Sequence, residues 1–290
     1  MTRQPRVVAC MPAWNASAFI HETLEALAAQ TYPALEILVS DDASGDGTAE
    51  ICERFAAGDR RFRVIRQARR RGWIGNTNVL LEAAAAVRAD YCFFAFHDDP
   101  PRPTYVARLV EALEHDPGAV LAFSDILSRE GVDSYLELEA VSDRLERARR
   151  VLRMQGQWWI PNRGLFRMSA AQKVGGMRRH LAGEYKADWP WLVALSLRGG
   201  FVRVPEPLVR KVWRDDSLSA GWNRRVRVWP AAAVVLACAR EVRRARPPIA
   251  EELRMQFELA RFGVRTLGSV LTRGRAGRAA RRLGSRRSPV

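Results

Sequence analysis

The feature that most restricts the fold is the regular alternation, over the first hundred residues, of short apolar runs with segments of helical spacing. Val7-Val8-Ala9-Cys10-Met11 predicts a strand, and residues 17–30 then set Phe19, Ile20, Leu24 and Leu27 on one helical stripe. Residues 35–40 predict a second strand, 48–57 a helix, 62–65 a third strand, 76–87 an Ala-rich helix and 91–96 a fourth strand. Runs that are apolar at every position belong to strands buried on both faces. Strand–helix repetition at this pitch gives a parallel sheet with right-handed crossovers. The expected class is α/β, a Rossmann-like, mostly parallel sheet flanked by helices.

Open sheets of this kind bind ligands at the carboxyl ends of their strands, and polar residues gather there. The run Tyr91-Cys92-Phe93-Phe94-Ala95-Phe96 stops at His97-Asp98-Asp99. Adjacent carboxylates repel, so two of them need a cation or donors nearby. A divalent metal carrying phosphate oxygens answers that need, and an ordinary Asp-Asp-Pro-Pro turn is the alternative. Pro12-Ala13-Trp14-Asn15 follows the first strand, where backbone groups and an amide can receive a flat heterocycle. Asp41-Asp42-Ala43-Ser44-Gly45-Asp46-Gly47-Thr48 follows the second, with an Asp able to accept from a base N–H and Ser, Gly and Thr suited to a turn and a helix cap. Asp42, Ser44, Asp46, Gly47 and Glu53 also fit a calcium-loop spacing. That motif requires a helix before the loop, whereas residues 35–40 form a strand, so calcium is not expected.

Past Pro100-Pro101-Arg102-Pro103 the alternation weakens. Helices are expected over 105–115, 136–155 and 188–197, and strands over 119–124, 201–204 and 208–213. An aromatic patch stands at Trp158-Trp159, with Trp189 and Trp191 further on; it suits either core packing or stacking against an acceptor. The expected division is a nucleotide-binding half at 1–104, a half of the same domain that receives a second substrate at 105–221, C-terminal helices at 222–271 and an Arg-rich disordered tail at 272–290.

The net charge of +15 is local. Residues 222–290 contain 17 Arg and 4 Glu and no Lys or Asp, which is +13 and leaves +2 for the first 221. Nucleic acid is therefore an unlikely partner for the sheet. The basic helices suit either an anionic membrane surface or a packed cap. Four scattered cysteines, Cys10, Cys52, Cys92 and Cys238, form no metal or redox motif and read as small core residues of a reducing compartment. With no long apolar run, the expected location is cytoplasmic, with peripheral contact at the inner face of the membrane as an option.

Taken in order, Pro12-x-x-Asn15, Asp41-Asp42-x-Ser44-x-Asp46-Gly47-Thr48, Gly72 with Asn78, His97-Asp98-Asp99, Gly164-Leu165-Phe166-Arg167, Gly175-Gly176 and Asp188 before Gly199-Gly200 resemble the family-2 glycosyltransferases of GT-A fold over roughly residues 6–220. The resemblance implies inverting transfer, as in polysaccharide biosynthesis, from a UDP-, dTDP- or GDP-sugar to a glycan or lipid-linked acceptor, with Mg²⁺ or Mn²⁺ as cofactor. It further implies that Asp41 or Asp42 contacts the base, with Pro12 and Asn15 beside it. Arg70 or Arg71 would lie near the nucleotide, Asp98 near the ribose or metal, and Asp99 on the metal. Asp188 would be the catalytic base, and Arg214 would face either the diphosphate or solvent. Departures from the family pattern are Phe96 in place of an Asp, His97 as either a ligand or an orienting residue, and Ala187 in place of the first acid of a pair, with Glu184 as the fallback. The alternatives are a nucleotidyltransferase-like enzyme, which would want a glycine-rich loop that residues 11–15 lack, and a nucleic-acid binder acting through the tail.

Overall fold

In the computed structural model, residues 3–138, 141–153, 159–214 and 228–264 are described. The chain runs β1 (Val7–Ala13), α1 (Ile20–Ala28), β2 (Leu35–Asp41), α2 (Thr48–Gly58), β3 (Phe62–Arg66), α3 (Gly72–Ala86), β4 (Tyr91–Phe94), α4 (Tyr105–His115), β5 (Ala119–Ser128) and β6 (Gly131–Asp133). It continues with α5 (Arg144–Arg153), β7 (Leu165–Arg167), α6 (Met168–Val174), α7 (Asp188–Ser196), β8 (Gly200–Arg210), α8 (Val228–Arg244) and α9, helical over the described residues 249–264.

One sheet of eight strands carries the order β3-β2-β1-β4-β7-β5-β6, with β8 beside β5. The pairs β1–β2, β2–β3 and β1–β4 are parallel, as the alternation requires. The antiparallel β7 lies between β4 and β5. Strands on both sides of residue 104 therefore belong to a single sheet.

The strands divide their side chains between two cores. Val8, Cys10 and Leu38 point to the face covered by α3, α5, α6 and α7, while Val7, Ala9, Met11, Ile37 and Val39 point to the face covered by α1 and α4. Each fully buried aliphatic side chain contributes about 1.5–3 kcal/mol, enough to pin the register, because a slip of one residue would exchange the two faces. The four cysteines are free and buried among these side chains, in keeping with their reading as core residues.

Several elements differ from expectation. Residues 200–210 form one strand rather than two. Pro205 and Pro207 cannot donate to the ladder, and the register against β5 shifts around Asp125 instead of breaking. The helix expected over 136–155 is a short 3₁₀ turn, Leu136–Leu138, followed by α5. The basic C-terminal helices pack on the domain: Val234, Cys238, Val242, Met255 and Leu259 are buried in the first core, and Phe262 meets Trp189 edge-on at 5.6 Å. No helix among the described residues is long and apolar enough to cross a membrane. The tail at 272–290, Trp158 and the 215–227 segment lie outside the described residues.

Candidate active site

The loops after β1, β2 and β4 meet as the parallel topology demands, and much of their polarity is spent on holding one another. Asn15, at φ 46°, donates its N–H to Ser44 Oγ at 2.9 Å, and its Oδ1 accepts from Gly45 N at 3.1 Å. Asp46 accepts from Ser17 N at 3.0 Å and from Thr48 N at 3.1 Å and Oγ1 at 2.5 Å. Burial would raise this carboxyl, but those donors outweigh it and bring it down to about 2. Glu53, the last position of the calcium spacing, is held by Arg66 at 2.6 Å.

The two acids after β2 have different work. Asp42 is buried and receives Arg71 N at 2.6 Å and Gly72 N at 2.9 Å, so it caps α3 and explains why that helix begins at Gly72 rather than at Asn76. Asp41 Oδ2 accepts from Ser44 N at 3.1 Å, and its Oδ1 is a buried oxygen with no hydrogen-bond partner among the described residues. Beside them Arg70 is exposed and lies over the Trp14 ring, 3.3 Å from its centroid.

At the end of β4 the environment changes. Asp99 is 4 % exposed. Its Oδ2 accepts from Arg163 Nε at 2.7 Å and from Arg163 Nη2, and its Oδ1 accepts from Lys211 Nζ at 2.9 Å and Val212 N at 3.2 Å. Burial alone would push this carboxyl up, but the two cations hold it below the usual carboxylate range. Lys211 is lowered by burial and by Arg163, against the pull of Asp99 and then Asp98. The cation that the Asp98-Asp99 pair called for is thus present as two side chains far along the chain. Asp98 is half-buried. Phe96 packs under Arg163, whose Cζ is 4.6 Å from its ring.

His97 Nδ1 is 3.1 Å from Pro12 O, which fixes Nδ1 as the protonated nitrogen because a carbonyl only accepts. Its ring lies 5.2 Å from Phe19, and Arg214 covers the other part of Phe19 with Cζ 3.2 Å from the centroid. Arg214 therefore sits at the β4 edge.

Asp188 opens α7 and is 9 % exposed; Asn162 Nδ2 donates to its Oδ2 at 2.9 Å. Asn162 and Arg163 are consecutive in the 3₁₀ turn Pro161–Arg163, so one turn touches both Asp188 and Asp99. Tyr105 braces the turn from below, its hydroxyl donating to Arg163 O. Glu184 is elsewhere: it pairs with Arg179 at 2.8 Å over the start of α3. There a Cβ on Gly72, which has φ 77°, would collide with Glu184 and come within 2.8 Å of Arg179. Gly176 is equally constrained, since a Cβ would lie 2.5 Å from Asn78 Oδ1, and Asn78 exchanges two hydrogen bonds with Met177, at 2.8 and 2.9 Å. Trp189 and Trp191 are buried and donate to Val151 O and Gly175 O, which is core packing; Trp159 meets Trp213 edge-on at 5.6 Å beside Arg163.

Arg163, Lys211 and Asn162 were not among the residues expected from sequence. Each acts across a long separation, and nothing local distinguishes it from other polar residues of the second half.

Residues 8–172, more than half of the chain, match the model of the family described as glycosyl transferase family 2. The chain belongs to that family. Among curated relatives, the uncharacterized glycosyltransferase EpsJ of Bacillus subtilis is 34% identical over 112 residues, 39% of this chain and 31% of EpsJ. The chain spans about a third of the length of the curated relatives it matches. Among solved structures it is similar to S. aureus TarS 1-349 in complex with UDP-GlcNAc, with TM-score 0.69 at 15% identity over 89% of this chain and 72% of the other. It is also similar to the mannosyltransferase PcManGT from Pyrobaculum calidifontis in complex with GDP-Man and Mn²⁺, with TM-score 0.60 at 19% identity, over 98% and 80%. At that identity the likeness establishes the fold, the GT-A arrangement of a mostly parallel sheet flanked by helices.

Proposed function

We propose that this chain transfers a sugar from a nucleoside-diphosphate sugar to a hydroxyl of a glycan or lipid-linked acceptor, inverting the anomeric carbon. The observation that carries the reading is the turn Pro161–Arg163, which ties Asp188 through Asn162 to the same spot that Arg163 ties to Asp99. A carboxylate able to take a proton and a cationic, phosphate-competent edge are thereby neighbours.

The donor lies along the carboxyl ends of β1, β2 and β4. The uncommitted Asp41 oxygen and the Trp14–Arg70 stack serve the base and ribose side, with Pro12 and Asn15 forming the loop between them; Asp42 and Arg71 support that side through the α3 cap. Uridine and guanosine diphosphate sugars are the donors favoured by the complexes of the two structural neighbours.

Among the described residues no three His, Cys, Asp or Glu side chains gather to enclose a metal, and Asp99 is filled by Arg163 and Lys211. The residues fit an ion held jointly with the substrate: Asp98 would supply the carboxylate, leaving the remaining positions to oxygen ligands from outside the protein, as Mg²⁺ and Mn²⁺ accept. The metal role expected of Asp99 passes to Asp98, and Asp99 becomes the group that keeps Arg163 and Lys211 in place. When bound, such an ion neutralises charge on the departing diphosphate. Lys211, Arg163 and Arg214 contribute fixed positive charge on the same side.

Asp188 accepts the proton of the acceptor hydroxyl as its oxygen bonds to the anomeric carbon and the carbon–diphosphate oxygen bond breaks, releasing the nucleoside diphosphate. Asn162 holds one oxygen of Asp188 and orients the other. Trp159 and Trp213 flank this side as a surface for the acceptor sugar or lipid. The family match and these neighbours favour transfer of a sugar over nucleotidyl transfer or nucleic-acid binding. Asp188→Asn should reduce transfer by roughly 10²–10⁴-fold while UDP or GDP, with and without Mn²⁺, still raises the melting temperature. Retained transfer in that variant would remove Asp188 as the base.

A further inference from the structure

Helix α9 carries two apolar faces, and only one is covered. Met255 and Leu259 are buried and Phe262 is half-buried, so this face seals the core beside α5 and α7. At about 100° per residue, Ile249, Leu253, Phe257 and Val264 fall within about 80° of arc on the opposite side. They are 79 %, 66 %, 63 % and 72 % exposed, and the exposed Ala260 falls in the same arc. An outward row this apolar on a helix that has already satisfied its core contact calls for an occupant.

The charges around the row say which. The three acidic residues of the helix are turned toward the body and used there: Glu251 accepts from Arg144 at 2.9 Å, Glu252 lies 3.4 Å from Arg243, and Glu258 lies 3.4 and 3.2 Å from Arg149 and Arg153. Arg254 and Arg261 are exposed together on one flank of the apolar row, Arg261 with its Cζ 5.7 Å from the Phe257 ring and Nη1 3.7 Å from Glu258. In sequence, residues 265–290 add eight Arg and no acid. A stripe of large apolar side chains rimmed by arginine and followed by a basic segment is complementary to an anionic lipid surface: the side chains enter the acyl boundary while the guanidinium groups stay at phosphate level.

We infer that the outward face of α9, made by Ile249, Leu253, Phe257 and Val264 and flanked on one side by Arg254 and Arg261, docks this protein on an anionic membrane. The docking is independent of the transfer chemistry and is read without donor or acceptor.

The test is flotation of the full chain with vesicles of phosphatidylcholine alone and of phosphatidylcholine with phosphatidylglycerol, at low and high salt. The expected result is capture by the anionic vesicles only, weakened by salt, and reduced roughly tenfold or more by Leu253→Glu with Phe257→Glu. Arg254→Gln should give a smaller reduction. Because these side chains are exposed, the variants should keep the melting temperature and the UDP- or GDP-induced shift of the parent, which separates loss of docking from loss of the donor site. Undiminished capture of the double variant would overturn the proposal by assigning binding to the basic segment alone. Equal capture by neutral vesicles, or a stable dimer in solution that the double variant dissociates, would overturn it as well.

Discussion

Two parallel strands on either side of β1, β2 and β4, each lead into a pair of adjacent aspartates, and the two pairs are satisfied in different ways. At Asp41-Asp42 the second acid is answered by backbone N–H groups of Arg71 and Gly72 at the start of α3. At Asp98-Asp99 the second acid is answered by two side-chain cations, Arg163 and Lys211, 64 and 112 residues away. In both pairs the second carboxylate is buried and structural; the first differs, Asp41 being buried with one oxygen on Ser44 N and Asp98 half-buried. The difference lies in what sets the charge: a helix terminus at β2, and tertiary packing of the whole second half at β4. Arg163 and Lys211 thus suffice to keep Asp99 ionised, and under the proposed function a metal would rest on Asp98 and the diphosphate of the donor.

The sharpest way to break this comparison is to remove the acceptor at β4. Asp99→Ala leaves Arg163 and Lys211 buried against each other, and a loss of about 3–5 kcal/mol in denaturant unfolding is expected. The corresponding change at β2, Asp42→Ala, removes only a helix cap and should cost about 1–2 kcal/mol. Equal costs would mean that the two pairs are satisfied alike. Asp98→Asn should leave unfolding nearly unchanged yet abolish the extra stabilisation that Mn²⁺ gives to UDP or GDP binding in a thermal-shift titration. Survival of that increment would return the metal to another residue.

Acid titration sharpens the same contrast at smaller amplitude. Asp99 is depressed in the folded state, so its contribution is fully present above the unfolded carboxylate value near ~4. That contribution fades as pH falls through the lower folded value. Asp46, brought down to about 2, adds to the same window between ~4 and about 2. The parent should lose stability steeply there, and Asp46→Asn should flatten part of the slope, measured as unfolding midpoints against pH.

What the sequence revealed follows the range of the forces involved. β1 to β4 and α1 to α4 were readable because each is encoded by its own periodicity, and the turn chemistry of residues 41–48 is local. The antiparallel β7, the irregular β8 and the partners of Asp99 were not readable, because each depends on which distant segment arrives beside it. Periodicity over 136–155 overran the helix, since Leu138 is buried in the core from a separate 3₁₀ turn. Two adjacent acids were expected to need a cation or donors: Asp42 has backbone donors and Asp99 has two cations, and which distant groups supply them was a tertiary fact. The apolar content of 249–264 was visible, but its partition into a covered and an open side required the packing of Met255 and Leu259.

The joined contacts of Asn162 and Arg163 carry a mechanical consequence. Were the two carboxylates mounted on separate loops, their spacing would accumulate the independent jitter of both. Here a single peptide unit, gripped from beneath by Tyr105, bears on each of them, so that whatever displaces one carries the other along, and the gap across which a sugar would pass keeps its width.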